Sequence, residues 1–256
     1  MAEQREGAGR LKPVKWYKSL ALGKGRLEAG AFLVEGERAI RQIISACPEA
    51  LIEILSTEDL APEFSDYPAR LLTDSQMGSI SSTRTPQGII AVVRPPAEMY
   101  WDRLPDDTGT RVLLLEDVQD PGNVGTLIRT AAAFDYSGVI LSGKCADPLS
   151  PKCVQASAGT VLSLWIRRTA GYLELVAGLK RNGYLIVAAE LGGSEDLGPL
   201  RQDKLVLALG NEASGLSKNM LKAADNRLRI PVIREKAESL NVAACGAICI
   251  YLSAQQ

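Results

Sequence analysis

Apolar and polar positions alternate along this chain in two successive blocks. In the first block, short apolar runs at Phe32–Val34, Ile52–Leu55, Arg70–Leu72 and Ile89–Val93 predict strands. Helical periodicity separates them at Glu37–Cys47 and Asp74–Ser79, after a helix over Val14–Leu22. Strands interleaved with helices predict a small α/β layer. Arg94-Pro95-Pro96 and the polar stretch to Gly109 then read as a linker, which puts a domain boundary near residue 108. The second block opens with Arg111–Leu115, an unbroken apolar run of the kind found in buried parallel strands. Strands follow at Gly138–Leu141, Leu164–Arg167, Leu185–Ala189, Leu205–Leu209 and Leu228–Ile230. Helices fall between them at Asn123–Phe134, Ser150–Ala158, Glu174–Arg181 and Lys218–Ala224. The closing helix, Ser239–Leu252, is apolar on every side and therefore belongs in a core or at a subunit interface.

Composition narrows the chemistry. The 256 residues include no histidine, which removes Ser-His-Asp and Cys-His machineries and every imidazole zinc site. The five cysteines form no C-x-x-C pair, so they read as reduced thiols rather than a metal site; Cys245 and Cys249 share one helical face. No run approaches 18 apolar residues, and the N-terminus lacks a signal-peptide core, so a cytoplasmic protein without a membrane span is expected. Net charge is −1, so a nucleic-acid surface has to be local. One such stretch runs from Arg10 to Arg26 without an acidic residue and includes Trp16 and Tyr17. Cations beside aromatics suit phosphate contact with base stacking. Lys15, Lys18, Lys24, Arg26 and, farther on, Arg84 are the candidate RNA contacts; a solvated helix face is the alternative.

Two nucleotide-binding patterns fail. Gly138 to Cys145 approaches a P-loop, but Cys145 replaces the magnesium-binding Ser/Thr and Val139–Leu141 is strand-like. Gly23-Lys24-Gly25 follows no strand and lacks the third glycine of a dinucleotide fingerprint.

Three segments of the second block remain. Glu116–Ala131 follows a buried strand and contains the turn Pro121-Gly122, Asn123 placed to cap the next helix, and Arg129 six residues on. Leu207–Ser217 carries a strand into a glycine-containing loop with one carboxylate, Glu212, and exposed peptide groups fit to hold an uncharged, adenosine-like ligand. Ile230–Ala244 leads through Ser239, placed as a helix cap, to Asn241 in the first turn of the apolar helix.

In order and spacing these segments resemble the three signature motifs of the SpoU (TrmH-type) RNA 2′-O-ribose methyltransferases of the SPOUT class. The resemblance covers roughly residues 111–256, and the first block is similar to that family's accessory RNA-binding domain. It implies an α/β fold with a C-terminal parallel sheet tied in a trefoil knot plus a smaller N-terminal α/β RNA-binding domain. It further implies a homodimer, S-adenosylmethionine as the methyl donor and no metal. By residue, it implies catalytic roles for Asn123, Arg129, Glu212, Ser239 and Asn241. Cofactor contacts would come from Leu209, Gly210, Asn211, Glu212, Gly215, Ile230, Pro231 and Leu240. Ala213 stands where the family more usually has glycine. Guanidinium is very hard to deprotonate, so phosphate binding suits Arg129 better than a role as base, with Glu212 orienting it or accepting the proton. The separate N-terminal block favours ribosomal RNA over tRNA as substrate, by analogy. A non-catalytic RNA-binding protein of the same fold is the remaining alternative.

Overall fold

A computed structural model describes residues 12–233, 235–236 and 238–255; Arg10 of the basic stretch lies outside the described residues. The chain has two compact units, its main division falling between Pro95 and Pro96.

The first unit comprises α1 (Val14–Ser19), α2 (Gly23–Ala29), β1 (Phe32–Glu35), α3 (Glu37–Ala46), β2 (Leu51–Ser56), β3 (Ala69–Leu71), α4 (Asp74–Ile80) and β4 (Ile89–Val93). The sheet order is β1-β4-β2-β3, antiparallel except for β2 with β3. The interior strand β4 is buried at every position, as its unbroken apolar run requires. Tyr17 and Leu20 beside α1, with Met77 and Ile80 of α4, pack on Leu33, Leu55, Ile90 and Val92 of the sheet. Thr73 and Gln76 form a reciprocal capping box that starts α4. Helix α2 has no counterpart among the elements predicted from sequence, because its glycines weaken the helical signal.

The second unit comprises β5 (Arg111–Leu115), α5 (Pro121–Ala133), β6 (Gly138–Ser142), α6 (Pro151–Ser157), β7 (Trp165–Thr169), α7 (Tyr172–Arg181), β8 (Leu185–Ser194), β9 (Leu205–Leu209), α8 (Lys218–Ala223), β10 (Asn226–Leu228) and α9 (Val242–Ala254). Its strands are all parallel, in the order β10-β8-β9-β5-β6-β7. Residues 97–108 belong to this unit rather than to a linker. Arg167 Nε donates to Arg103 O at 2.8 Å, and Tyr184 Oη donates to Thr108 Oγ1 at 2.9 Å. Strand order reverses at β5: β6 and β7 extend to one side, β9 and β8 to the other. Ligands of open parallel sheets bind outside the strands' C-terminal ends at such a reversal. Segments 116–131 and 210–217 leave the sheet there, at the adjacent ends of β5 and β9.

Candidate active site

The support of the site starts with the residues that follow β5. Glu116, 3% exposed, accepts the Ser217 backbone N–H at 2.7 Å and the Tyr172 hydroxyl. Burial, then this carboxylate, pushes the Tyr172 hydroxyl up to about 12. Asp117 carries its backbone into the left-handed region (φ 57°), and its carbonyl accepts Asn211 Nδ2 at 2.9 Å. Asn211 Oδ1 in turn accepts the N–H groups of Ala213 and Ser214, both at 3.0 Å. A Cβ on Gly210 would lie 2.3 Å from Gly215 C and 2.4 Å from Leu216 N, so only glycine permits this tight return. Ala213 is absent from the residues at positive φ, so its methyl adds no backbone strain to the loop.

Helix α5 starts two residues earlier than its pattern predicts. Asp120, not Asn123, is the cap: its Oδ1 accepts Gly122 N at 2.7 Å and Asn123 N at 3.0 Å. Pro121 at the first helical position needs no acceptor and fixes this start. The Asn123 side chain is thereby left for tertiary contacts. Its Nδ2 donates to Glu212 Oε1 at 2.9 Å, and its Oδ1 accepts Asn241 Nδ2 at 3.2 Å. The three sequence segments meet at this one amide. Helix α9, by contrast, starts later than predicted. Asn241, not Ser239, is its cap, accepting Ala243 N at 2.8 Å and Ala244 N at 3.3 Å. Ser239 lies just before it in an exposed stretch.

Beside this junction lies a cavity of about 400 Å³, within the size range of cofactor sites. Leu209, Gly210, Asn211, Glu212, Gly215, Ile230, Ser239 and Leu240 all line it. Pro231 does not; it borders a neighbouring cavity of about 270 Å³. Sequence reasoning missed several residues of the wall and of its support, Leu221, Leu228 and Arg229 among the lining. Residues 189–192 line the cavity because β8 runs on to Ser194 instead of ending at Ala189. Cys245 also lines it, half-buried, while Cys249 is buried. Glu116 was legible only as an acidic residue after a strand. Among the described residues, no three His, Cys, Asp or Glu side chains stand together as a metal site, and no helix is long and apolar enough to cross a membrane.

Arg129 is placed otherwise. It lies about 240° around α5 from Asn123 and about 9 Å along it, is exposed, and is not in the cavity wall. Glu212 is held by Asn123 and not, as expected, by Arg129. Within one chain the structure does not bring this guanidinium to the other four candidate catalytic residues.

In the first unit, Lys15, Lys18, Lys24 and Arg84 are exposed, Lys24 beside Glu28 at 3.7 Å. Arg26 is not an outward cation. It is 6% exposed and donates to the carbonyls of Leu20 and Ala21, both at 2.9 Å, because chain leaving a helix carries carbonyls that a guanidinium can satisfy. Tyr17 is fully buried and donates to Glu53 at 2.9 Å, so it is a core residue rather than a stacking platform.

Residues 110–251 match the SpoU rRNA Methylase family, and residues 12–91 match the MRM3-like substrate binding domain. The chain is similar to the 23S rRNA (guanosine(2553)-2'-O)-methyltransferase RlmP of Bacillus subtilis (strain 168), 31% identical over 93% of this chain and 94% of that one. It is also similar to the 23S rRNA (uridine(2479)-2'-O)-methyltransferase of Streptomyces viridochromogenes, at 27% identity over 94% of this chain and 88% of that one. Among solved structures, the SpoU methyltransferase AviRb from Streptomyces viridochromogenes in complex with AdoMet superposes with a TM-score of 0.82 at 26% identity, covering 96% of this chain and 98% of that one. A parallel sheet with its cavity at the point of strand reversal, three motif segments joined there by Asn123, and a family match across more than half of the residues lead to one conclusion: the chain belongs to the SpoU rRNA methylase family.

Proposed function

We propose that this protein transfers a methyl group from S-adenosylmethionine to a ribose 2′-hydroxyl of ribosomal RNA, acting as a cytoplasmic homodimer. The observation that carries the reading is the Glu212–Asn123–Asn241 chain of hydrogen bonds at the edge of the cavity. The cavity suits the donor. Leu209, Ile230 and Leu240 offer apolar contact, the 209–216 backbone offers peptide groups, and the Glu212 carboxylate complements a cation. When bound, the cofactor supplies an already activated methyl on a sulfonium. The chain's own residues then have to align the acceptor oxygen and take charge of its proton. Alignment of this kind supplies up to about 7–11 kcal/mol of barrier lowering. Asn123 fixes the Glu212 carboxylate, which can receive the proton, and Asn241 fixes Asn123. Ser239, on the cavity wall, adds a hydroxyl beside them. Arg129 grips a phosphate of the acceptor strand and lowers the 2′-hydroxyl's proton affinity by its field, keeping its own proton.

The position of Arg129 supports a dimer. Helix α9 is apolar on every side, yet leaves Ile248 38% and Tyr251 50% exposed, with Tyr251 stacked edge-on to Phe134 at 5.8 Å. A second copy covering this face of α5 and α9 would bring Arg129 to a shared acceptor site. The trefoil threading is carried over from the family match at 110–251 and the likeness to the SpoU methyltransferase AviRb. Ribosomal RNA is favoured over tRNA by the substrate-binding match at 12–91 and by relatives named for 23S rRNA.

The test is methyl transfer from labelled S-adenosylmethionine to rRNA and to tRNA from a strain lacking the protein, with wild type and Arg129→Ala. Transfer to a ribose of rRNA is expected, with Arg129→Ala slower by about 10²–10³-fold and cofactor binding retained. Near wild-type transfer by Arg129→Ala, or labelling of tRNA alone, would overturn the scheme.

A further inference from the structure

We infer that Asp120 and Lys152 are positioning residues for methyl transfer, acting together to aim the Asn123 side chain. The inference rests on the reading of Asn123 given above and adds what holds that residue in place. The Asp120 carboxylate is divided between two tasks. Oδ1 accepts the N–H groups of Gly122 and Asn123, at 2.7 and 3.0 Å, and Oδ2 accepts Lys152 Nζ at 2.8 Å. Lys152 arrives from α6, in the next crossover of the sheet, so the pair ties the start of α5 to a separate element. With Oδ1 alone engaged, the carboxylate could pivot about its cap. The ammonium on Oδ2 fixes its plane. Gly122 reports how closely the parts sit: a Cβ there would lie 2.7 Å from Asp120 Oδ1 and 3.5 Å from Lys152 Cε. The backbone N–H that Asp120 holds belongs to the residue whose side chain holds Glu212 and is held by Asn241. A swing of the cap therefore moves the whole junction. The Lys152 hydrogen bond is also the largest cause holding the Asp120 carboxyl below the ordinary aspartate range, as expected of a paired carboxylate.

Both side chains are half-exposed, 62% for Lys152 and 47% for Asp120. Such a pair adds little to stability. Its signature is therefore a slowed turnover in a protein that is still stably folded.

The experiment is a double-mutant cycle on the full chain, measuring steady-state methyl transfer to rRNA. Lys152→Met should lower kcat about fivefold, the size of a surface ion-pair coupling. The KM for S-adenosylmethionine should stay within about twofold, and Lys152→Arg should restore turnover. Asp120→Asn, which keeps the cap acceptor but not the ion pair, should match Lys152→Met. Asn123→Ala should be slower than either, and Asn123→Ala/Lys152→Met no slower than Asn123→Ala alone, since residues acting through one partner do not add. If the double variant loses a further fivefold and the salt dependence of RNA binding flattens, Lys152 is a direct phosphate contact and the inference falls. Wild-type turnover by Asp120→Asn would also overturn it. Wild-type turnover by Asn123→Ala would instead overturn the parent reading of the site.

Discussion

Replacing Asn123 with aspartate tests the junction without changing its shape. The new oxygen would occupy the place of Nδ2, 2.9 Å from Glu212 Oε1, while the other oxygen still accepts from Asn241. One hydrogen bond to a carboxylate is lost, worth about 1.5–3 kcal/mol. In its place stand two like charges whose repulsion at 2.9 Å is about 1.4 kcal/mol at the dielectric of water and about 3 kcal/mol at half that value. Both groups are accessible, so the lower figures apply, and their sum is about 3 kcal/mol. If the junction acts chiefly in the reacting complex, turnover at pH 8 falls about a hundredfold.

The pH dependence gives the sharper test. Repulsion of this size makes one proton of the carboxyl pair bind about one to two pH units more tightly than on a lone glutamate. A raised carboxyl pKa makes the pair take up its proton at a higher pH as pH falls. An O–H···O bond then replaces the repulsion, and the variant recovers. Its rate relative to wild type should therefore rise between pH 8 and pH 5.5, read by labelled methyl transfer to rRNA, with cofactor binding by calorimetry as the control for folding. An Asn123→Asp protein with wild-type turnover and a parallel pH profile would show that the Asn123–Glu212 contact plays no part in transfer.

Glu116→Gln sets an amide against the Ser217 N–H, and should weaken S-adenosylmethionine binding about tenfold in calorimetry while lowering stability by about 1–3 kcal/mol. Gly246→Ala puts a methyl 2.3 Å from Leu127 Cδ2 and 2.6 Å from Leu209 Cδ1, where α9 crosses α5 and β9, and urea melts should show about 1–3 kcal/mol lost. Cys245 should be the second unit's fastest thiol with iodoacetamide and should be protected by S-adenosylmethionine, because a hydrogen bond from Cys249 lowers its pKa while burial raises that of Cys145. Equal labelling with and without cofactor, followed by peptide mapping, would remove it from the binding cavity. Arg26→Met should lower the melting temperature without changing the salt slope of RNA binding, whereas Lys15→Ala should leave melting unchanged and reduce that slope by about one.

Apolar runs were enough to read β4, β5, β6 and β9, which are buried along nearly their whole length, but β8 runs five residues past its expected end and β10 spans Asn226–Leu228 rather than Leu228–Ile230. Charge was a poorer guide than packing. Arg26 and Lys24 look alike in a list of cations, yet one closes the end of α1 and the other faces solvent, and only the geometry of the α1–α2 turn separates them. The fate of Arg129 is not a local property at all, because nothing within α5 says what stands opposite it.

The caps show most clearly how a small misreading of sequence becomes a different site. Asp120 and Asn123 are equally good cap residues by type. Pro121 decides between them, since proline is favoured at the first helical position. Had Asn123 been the cap, its side chain would be engaged by the amides of its own helix and turned through about 300° relative to its observed place three residues into it. Glu212 and Asn241, 89 and 118 residues away in sequence, would then have no common partner. Asn241 manages both tasks because its amide has two ends: Oδ1 caps α9 while Nδ2 donates to Asn123. Asp120 has no donor and cannot, so the sequence assigns it the cap and leaves the bifunctional amides to face each other. Exchanging the two, as Asp120→Asn with Asn123→Asp, keeps composition and helix start but should lower transfer at pH 8 by at least the roughly hundredfold factor expected of Asn123→Asp alone. Retained activity would mean that the order of these two side chains does not matter to the site.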